Sequence, residues 1–112
     1  MIQAGKLRHR VTVEQFTSEL DTDGEEVGGW MAVFDRPISA EIHPLSGREL
    51  MAADAAQSKV NTRIIVRFRT EFRASMRVLH RSTIYNIEAV IPDPDSGTRY
   101  ATLLCTSGIN EG

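Results

Sequence analysis

The chain has 112 residues, enough for one domain with a modest core, and its 41% apolar and 25% charged residues are a globular composition. It contains no run of about 18 apolar residues, which excludes a transmembrane helix, and its opening residues lack an apolar h-region, so no secretory signal peptide is expected. The single cysteine, Cys105, excludes an internal disulfide, so stability must come from packing or assembly, and a reducing cytoplasmic origin fits.

The first predicted element is a strand over Leu7–Phe16. Leu7, His9, Val11, Val13 and Gln15 share one face, and Arg8, Arg10, Thr12, Glu14 and Phe16 share the other. Residues 18–29 are rich in acids and hold three glycines, Gly24, Gly28 and Gly29, a composition that predicts a long, mobile hairpin loop. A second strand is expected from Trp30 to about Ile42. Pro37 interrupts it, which implies an edge strand or a bulge.

A helix is predicted over residues 46–58. Ser46 and Glu49 form a capping box, in which the Ser hydroxyl takes the Glu49 amide and the carboxylate reaches back to the Ser46 amide. Leu45 and Leu50 stand at the positions of a hydrophobic staple. The body that follows is rich in Ala, Leu, Met and Gln, all good helix formers.

The most strand-like run follows at Thr62–Arg69. Ile64, Val66 and Phe68 take one face; Arg63, Ile65, Arg67 and Arg69 take the other, which is expected to be wet. Arg69–Arg81 is ambiguous. Arg69, Arg73, Arg77 and Arg81 recur every four residues, as on a basic amphipathic helix, yet Met76–His80 also reads as a short strand turning at Arg81-Ser82. Thr83–Ile91 is a further strand, Pro92–Gly97 a turn cluster, Thr98–Thr106 the last strand, and residues 107–112 a frayed tail.

The charge is segregated although its total is only −2. Glu14, Glu19, Asp21, Asp23, Glu25 and Glu26 fall in a stretch without a base, whereas Lys59–Arg81 holds seven bases and one acid, Glu71. Such a dipolar surface suits contact with copies of the same chain, or a nucleic acid on one side.

Catalytic and metal-binding chemistry finds little support. Glu41 and His43 would point the same way on a strand, but nothing local adds the third ligand of a metal site. Cys105, in Leu103-Leu104-Cys105, reads as a small buried hydrophobe. Asp21 and Asp23, and likewise Asp93 and Asp95, read as turn residues, because neither pair has the Glu at the twelfth position of a calcium loop. No phosphate-binding Gly-Lys-Ser/Thr loop and no Gly-x-Ser-x-Gly are present. No enzyme, metal or cofactor is expected.

Five segments, in order, resemble the phage head–tail joining proteins, the head-closure, adaptor and stopper family: Ala4–Val13; Ala40–Leu45 leading into Ser46-Gly47-Arg48-Glu49; Thr62–Arg69; Met76-Arg77-Val78; and Ile84–Ile87. The resemblance implies one domain over residues 1–112, a mostly β fold: a small six-stranded antiparallel barrel or sandwich with one α-helix between the second and third strands. It also implies that Arg69–Arg81 is loop and then strand. It implies a homo-oligomeric ring, usually of twelve copies, between a portal or head-side adaptor ring and a tail-terminator or tail-side protein. Such a ring belongs to the virion, is made in the host cytoplasm, extends the channel for double-stranded DNA and holds the packaged genome in.

In some members the connection between the second and third strands closes that channel. Here it starts at His43, Pro44, Leu45, Ser46, Gly47, Arg48 and Glu49. The residues expected to meet another subunit or the channel DNA are Arg63, Arg67, Arg69 and Arg73 on one side, and Glu19, Asp21, Asp23, Glu25 and Glu26 on the other. The alternative reading is a small β-barrel module that binds nucleic acid through Lys59–Arg81. Against it, the one aromatic in the strand, Phe68, points to the core, and base-stacking sheets need exposed aromatics.

Overall fold

The computed structural model describes residues 7–46, 59–92 and 99–107. Seven strands follow in chain order: β1 (His9–Leu20), β2 (Glu26–Ala32), β3 (Ile38–Pro44), β4 (Thr62–Arg67), β5 (Arg77–His80), β6 (Thr83–Pro92) and β7 (Tyr100–Ser107). All their pairings are antiparallel. The sheet order is β2-β1-β3-β4-β7-β6-β5, and β5 pairs back onto β1 through Thr12↔Leu79, Val13↔Val78 and Glu14↔Arg77. Six strands therefore close a barrel, which removes their edges, and β2 stays outside it.

Alternation along the strands fills the barrel. Val11 and Val13 of β1, Ala40 of β3, Ile64 and Val66 of β4, Val78 of β5, Ile87 of β6 and Leu103 and Cys105 of β7 are all buried. Burying each Val, Ile or Leu side chain among them contributes about 1.5–3 kcal/mol. Phe72 and Met76, from the segment between β4 and β5, join the same core, where the Phe34 ring meets Phe72 edge-on at 5.5 Å. The segment from Arg69 to His80 is thus turns followed by a strand, in agreement with the family resemblance and against the four-residue arginine period.

Three expectations need correction. The strand expected over Trp30–Ile42 is divided: β2 ends at Ala32 and β3 begins just after Pro37, which has no amide to donate to the ladder. The hairpin loop expected over residues 18–29 is shorter, because β1 runs on to Leu20 and β2 starts at Glu26. Ile65 does lie on the outer face of β4, but it is buried there with Leu7 and Tyr100 in a second, smaller cluster. β4 is a central strand whose outer face is covered at Ile65, while Arg67 on the same face stays exposed.

No helix occurs among the described residues. The helix expected over 46–58 lies outside them except for Ser46, and with it Glu49 of the capping box. Asp93–Gly97 and the tail beyond Ser107 also lie outside. The two ends of the connection from β3 to β4 meet, since the Leu45 amide donates to the Asn61 carbonyl at 2.9 Å. Asn61 is the anchor at that point. Its side-chain oxygen accepts the Ser107 amide at 3.0 Å, its side-chain nitrogen donates to the Ser107 carbonyl at 3.0 Å, and its own amide donates to the Cys105 carbonyl at 2.9 Å.

Candidate functional site

β1 is twelve residues long, but β5 pairs only with its residues 12–14 and β3 only with residues 9–11. From Glu14 onward its partner is β2, in the register Glu14↔Ala32 to Leu20↔Glu26. The two strands stand out from the barrel as a ribbon-like arm, and the molecule measures 51 × 31 × 25 Å. The arm carries the large exposed apolar side chains Phe16, Leu20, Val27 and Met31; Leu20 is 73% exposed. By strand parity Phe16 and Leu20 share one face, and Val27 and Met31 the other. An isolated two-stranded hairpin is marginal in water, and apolar groups displayed on both faces of such an arm mark an interaction surface.

The turn at the end of the arm is built on Asp21. Its Oδ1 accepts the Asp23 amide at 2.9 Å and the Glu25 amide at 2.8 Å, while Gly24 takes φ +83° and donates to the Asp21 carbonyl. Of the acids named from the sequence, Asp21 therefore serves the turn itself. Glu26 accepts the Ser18 hydroxyl at 2.6 Å, Glu19 lies within β1 opposite Val27, and Asp23 and Glu25 are exposed on the turn.

The base of the arm is fastened by Arg77. Its Nε donates to Glu14 Oε1 at 2.9 Å, its terminal nitrogen lies 2.8 Å from the same oxygen, and its guanidinium sits over the Trp30 ring. Phe16 meets that ring edge-on at 5.6 Å.

The arginines expected to act together are only partly brought together. Arg67 and Arg69 line a cleft of about 220 Å³ at the foot of the arm, joined there by Arg10 and Arg36. Arg10 pairs with Ser39, and the register of β3 on β4 sets Ser39 beside Arg67, so one row crosses three strands. Arg69 rests on the Phe34 ring at 4.9 Å and Arg67 on the Tyr100 ring at 6.0 Å. Arg63 and Arg73 do not line this cleft. Arg63 sits opposite His43 and Leu104 in the sheet, and Arg73 is exposed ahead of β5.

His43 Nε2 and Glu41 Oε2 are 2.6 Å apart on β3. Among the described residues no group of three metal-ligating side chains occurs. Cys105 is fully buried; burial, reinforced by Glu88, pushes its thiol up to about 12, and the neutral thiol is no nucleophile. The His9 and His80 rings meet edge-on at 4.8 Å. Burial, then His9 and Arg81, hold the His80 imidazole below its ordinary 6.5.

A family model described as phage head completion protein matches residues 2–108. The head completion protein gp7 of Enterobacteria phage HK97 is 30% identical over 112 residues, which covers 96% of this chain and 97% of that one. Among solved structures, a Shigella flexneri 2a protein studied in solution superposes with a TM-score of 0.79 at 22% identity, covering 98% of this chain and 100% of that one. A chain from the virion of a native gene transfer agent particle superposes at 0.55 with 16% identity, covering 91% and 96%. At these identities the two structures speak for the fold.

Proposed function

The chain belongs to the phage head completion protein family, and on that premise we propose that it forms a homo-oligomeric ring of twelve copies at the neck of a tailed phage. The ring sits in the virion between a portal or head-side adaptor ring and a tail-terminator or tail-side protein. It extends the channel for packaged double-stranded DNA and keeps that DNA in the head. The observation that carries this reading is the family match over nearly the whole chain, 2–108. The arm adds physical support: it displays apolar side chains on both faces and acids at its turn, which suits contact with neighbours more than solitary existence.

Retention follows from geometry more than charge. Packaged duplex is a dense polyanion whose field is screened within about 10 Å at 0.1 M salt, so a ring in its path holds it by narrowing the channel. The connection beginning at His43, Pro44, Leu45 and Ser46, and continuing through Gly47, Arg48 and Glu49, is the segment assigned to that closure. Electron microscopy of particles made without this protein tests the reading. Heads that package DNA and then lose it, beside unattached tails, are the expected result; full, tailed particles refute it.

The alternative, a nucleic-acid-binding module, draws on the arginine cleft. Its aromatic partners are poor for base stacking, since Phe68 packs against the core and Tyr100 is buried.

A further inference from the structure

The cleft at the foot of the arm concentrates four guanidinium groups, Arg10, Arg36, Arg67 and Arg69, around one carboxylate, Asp35. Among the described residues none of these four arginines is ion-paired; Arg67 and Arg69 lie on aromatic rings instead. Like charges around one concavity focus a positive potential into it. Phe34, Pro37 and Ile38 give the cleft an apolar part as well.

The matching chemistry is on the same chain. Asp23 and Glu25 are exposed on the turn, and Leu20 beside them is 73% exposed. The turn cannot serve its own cleft. β1 is extended and paired along its length, and at about 3.3 Å per residue the distance from Arg10 to Asp21 is roughly 35 Å. An occupant with this chemistry must come from a second molecule.

The geometry points to the acidic turn of one copy seated in the arginine cleft of a second copy, with Asp23 and Glu25 facing the guanidinium groups and Leu20 covering the apolar part. This deepens the ring reading above and rests on it. Because arm and cleft are different surfaces, the contact is heterologous: repeated, it closes a ring or runs on as a filament, and it does not stop at a two-fold dimer. It also separates the arginines. Arg67 and Arg69 hold the neighbour together with Arg10 and Arg36, whereas Arg63 and Arg73 stay outside the contact.

Two doubly reversed chains test it, with association read by sedimentation of the full-length protein. One carries Asp23→Lys and Glu25→Lys, so the arm's two contact positions and the cleft are both positive. The other carries Arg36→Glu and Arg67→Glu, so both are negative. Each alone is expected to self-associate at least about tenfold more weakly than the parent, and an equal mixture to recover association through alternating copies. Thermal unfolding of each chain alone verifies that it is folded. Reversed chains that associate as well as the parent, or a mixture that does not recover, overturn the contact and leave the ring reading standing. A parent chain that stays monomeric at its highest soluble concentration overturns both. If the Arg36→Glu, Arg67→Glu chain associates normally but loses binding to a duplex DNA fragment, the cleft is a phosphate site and the proposal is wrong.

Discussion

The guanidinium of Arg77 lies 4.1 Å from the centre of the Trp30 ring, joining the short strand β5 to β2 of the arm, with which β5 does not pair. Glu14 completes the arrangement from β1 by accepting two of the guanidinium nitrogens. The Arg77 and Glu14 side chains are only 12% and 19% exposed, so the pair is partly desolvated where barrel closure and arm meet.

Arg77→Ala is therefore expected to lower stability by about 2 kcal/mol, between the values typical of exposed and of fully buried pairs, because Glu14 is left without its partner. Arg77→Lys keeps the charge but loses the planar fork and the stack on Trp30, and should recover only about half of that. Urea denaturation of the two variants measures both effects. A lysine variant as stable as the parent shows that charge alone is at work.

Cys105 provides a probe of global opening. Its side chain is fully buried and its thiol is pushed up to about 12, so a thiol reagent at neutral pH should not modify the folded protein. Labelling is expected only in step with unfolding, and increasing denaturant should raise its rate along with the unfolded fraction. Rapid labelling in native buffer argues against this burial. Cys105→Ser places a hydroxyl in the apolar core and is expected to cost about 1–3 kcal/mol.

His80 gives stability a pH dependence of known sign. In the unfolded chain it takes up a proton near 6.5; in the folded chain burial, His9 and Arg81 depress that value. Between the two values the unfolded state binds more protons, so stability falls as pH drops through 6.5 toward the folded value, and is unaffected by this group above it. His80→Gln should flatten the loss. Denaturation midpoints of parent and variant between about pH 7.5 and 5.5 decide the matter, since equal slopes exclude His80 as the cause.

How far the sequence revealed the structure depended on how local the signal was. Alternation around Val11–Val13 follows from a period of two within one strand, and β1 lies over it; Thr83–Ile91 is also a strand, although its pairing with β7 shifts register between Ile87 and Ala89. The arginine period of Arg69–Arg81 pointed to a helix that does not form; Ser75 at φ +81° and Arg81 at +58° bracket β5, and neither backbone fits a right-handed helix. The arm was hidden because Glu26–Gly29 has the composition of a loop, and only pairing with residues 17–20 makes it a strand. The arginine cleft was half visible. Arg67 and Arg69 belong to the basic run, but Arg10 is 57 positions before Arg67 and joins it only through the register of β1, β3 and β4.

The arm should be an element whose stability is separable from that of the barrel. Gly28 lies under the Phe16 ring, and a Cβ there would come within 2.6 Å of Phe16 Cζ and 3.0 Å of the Thr17 carbonyl oxygen. Phe16 is 56% exposed, so its ring can swing away, but the Thr17 oxygen is backbone in the paired strand and cannot yield without disturbing the ladder. Gly28→Ala is thus expected to drive the ring off Trp30 and loosen the pairing of residues 16–20 with 26–30. None of these residues belongs to the barrel core, so the global unfolding free energy should change by less than about 1 kcal/mol, as for substitutions outside a cooperative unit. Arm amides, by contrast, should exchange at least about tenfold faster, because their opening is local. Phe16→Ala should act in the same direction, since it removes the ring that covers Gly28 and contacts Trp30. Both variants should lose self-association while remaining folded. Hydrogen exchange resolved along the chain provides the check. If either variant unfolds the barrel together with the arm, or leaves arm protection unchanged, the arm is not the separate element described here.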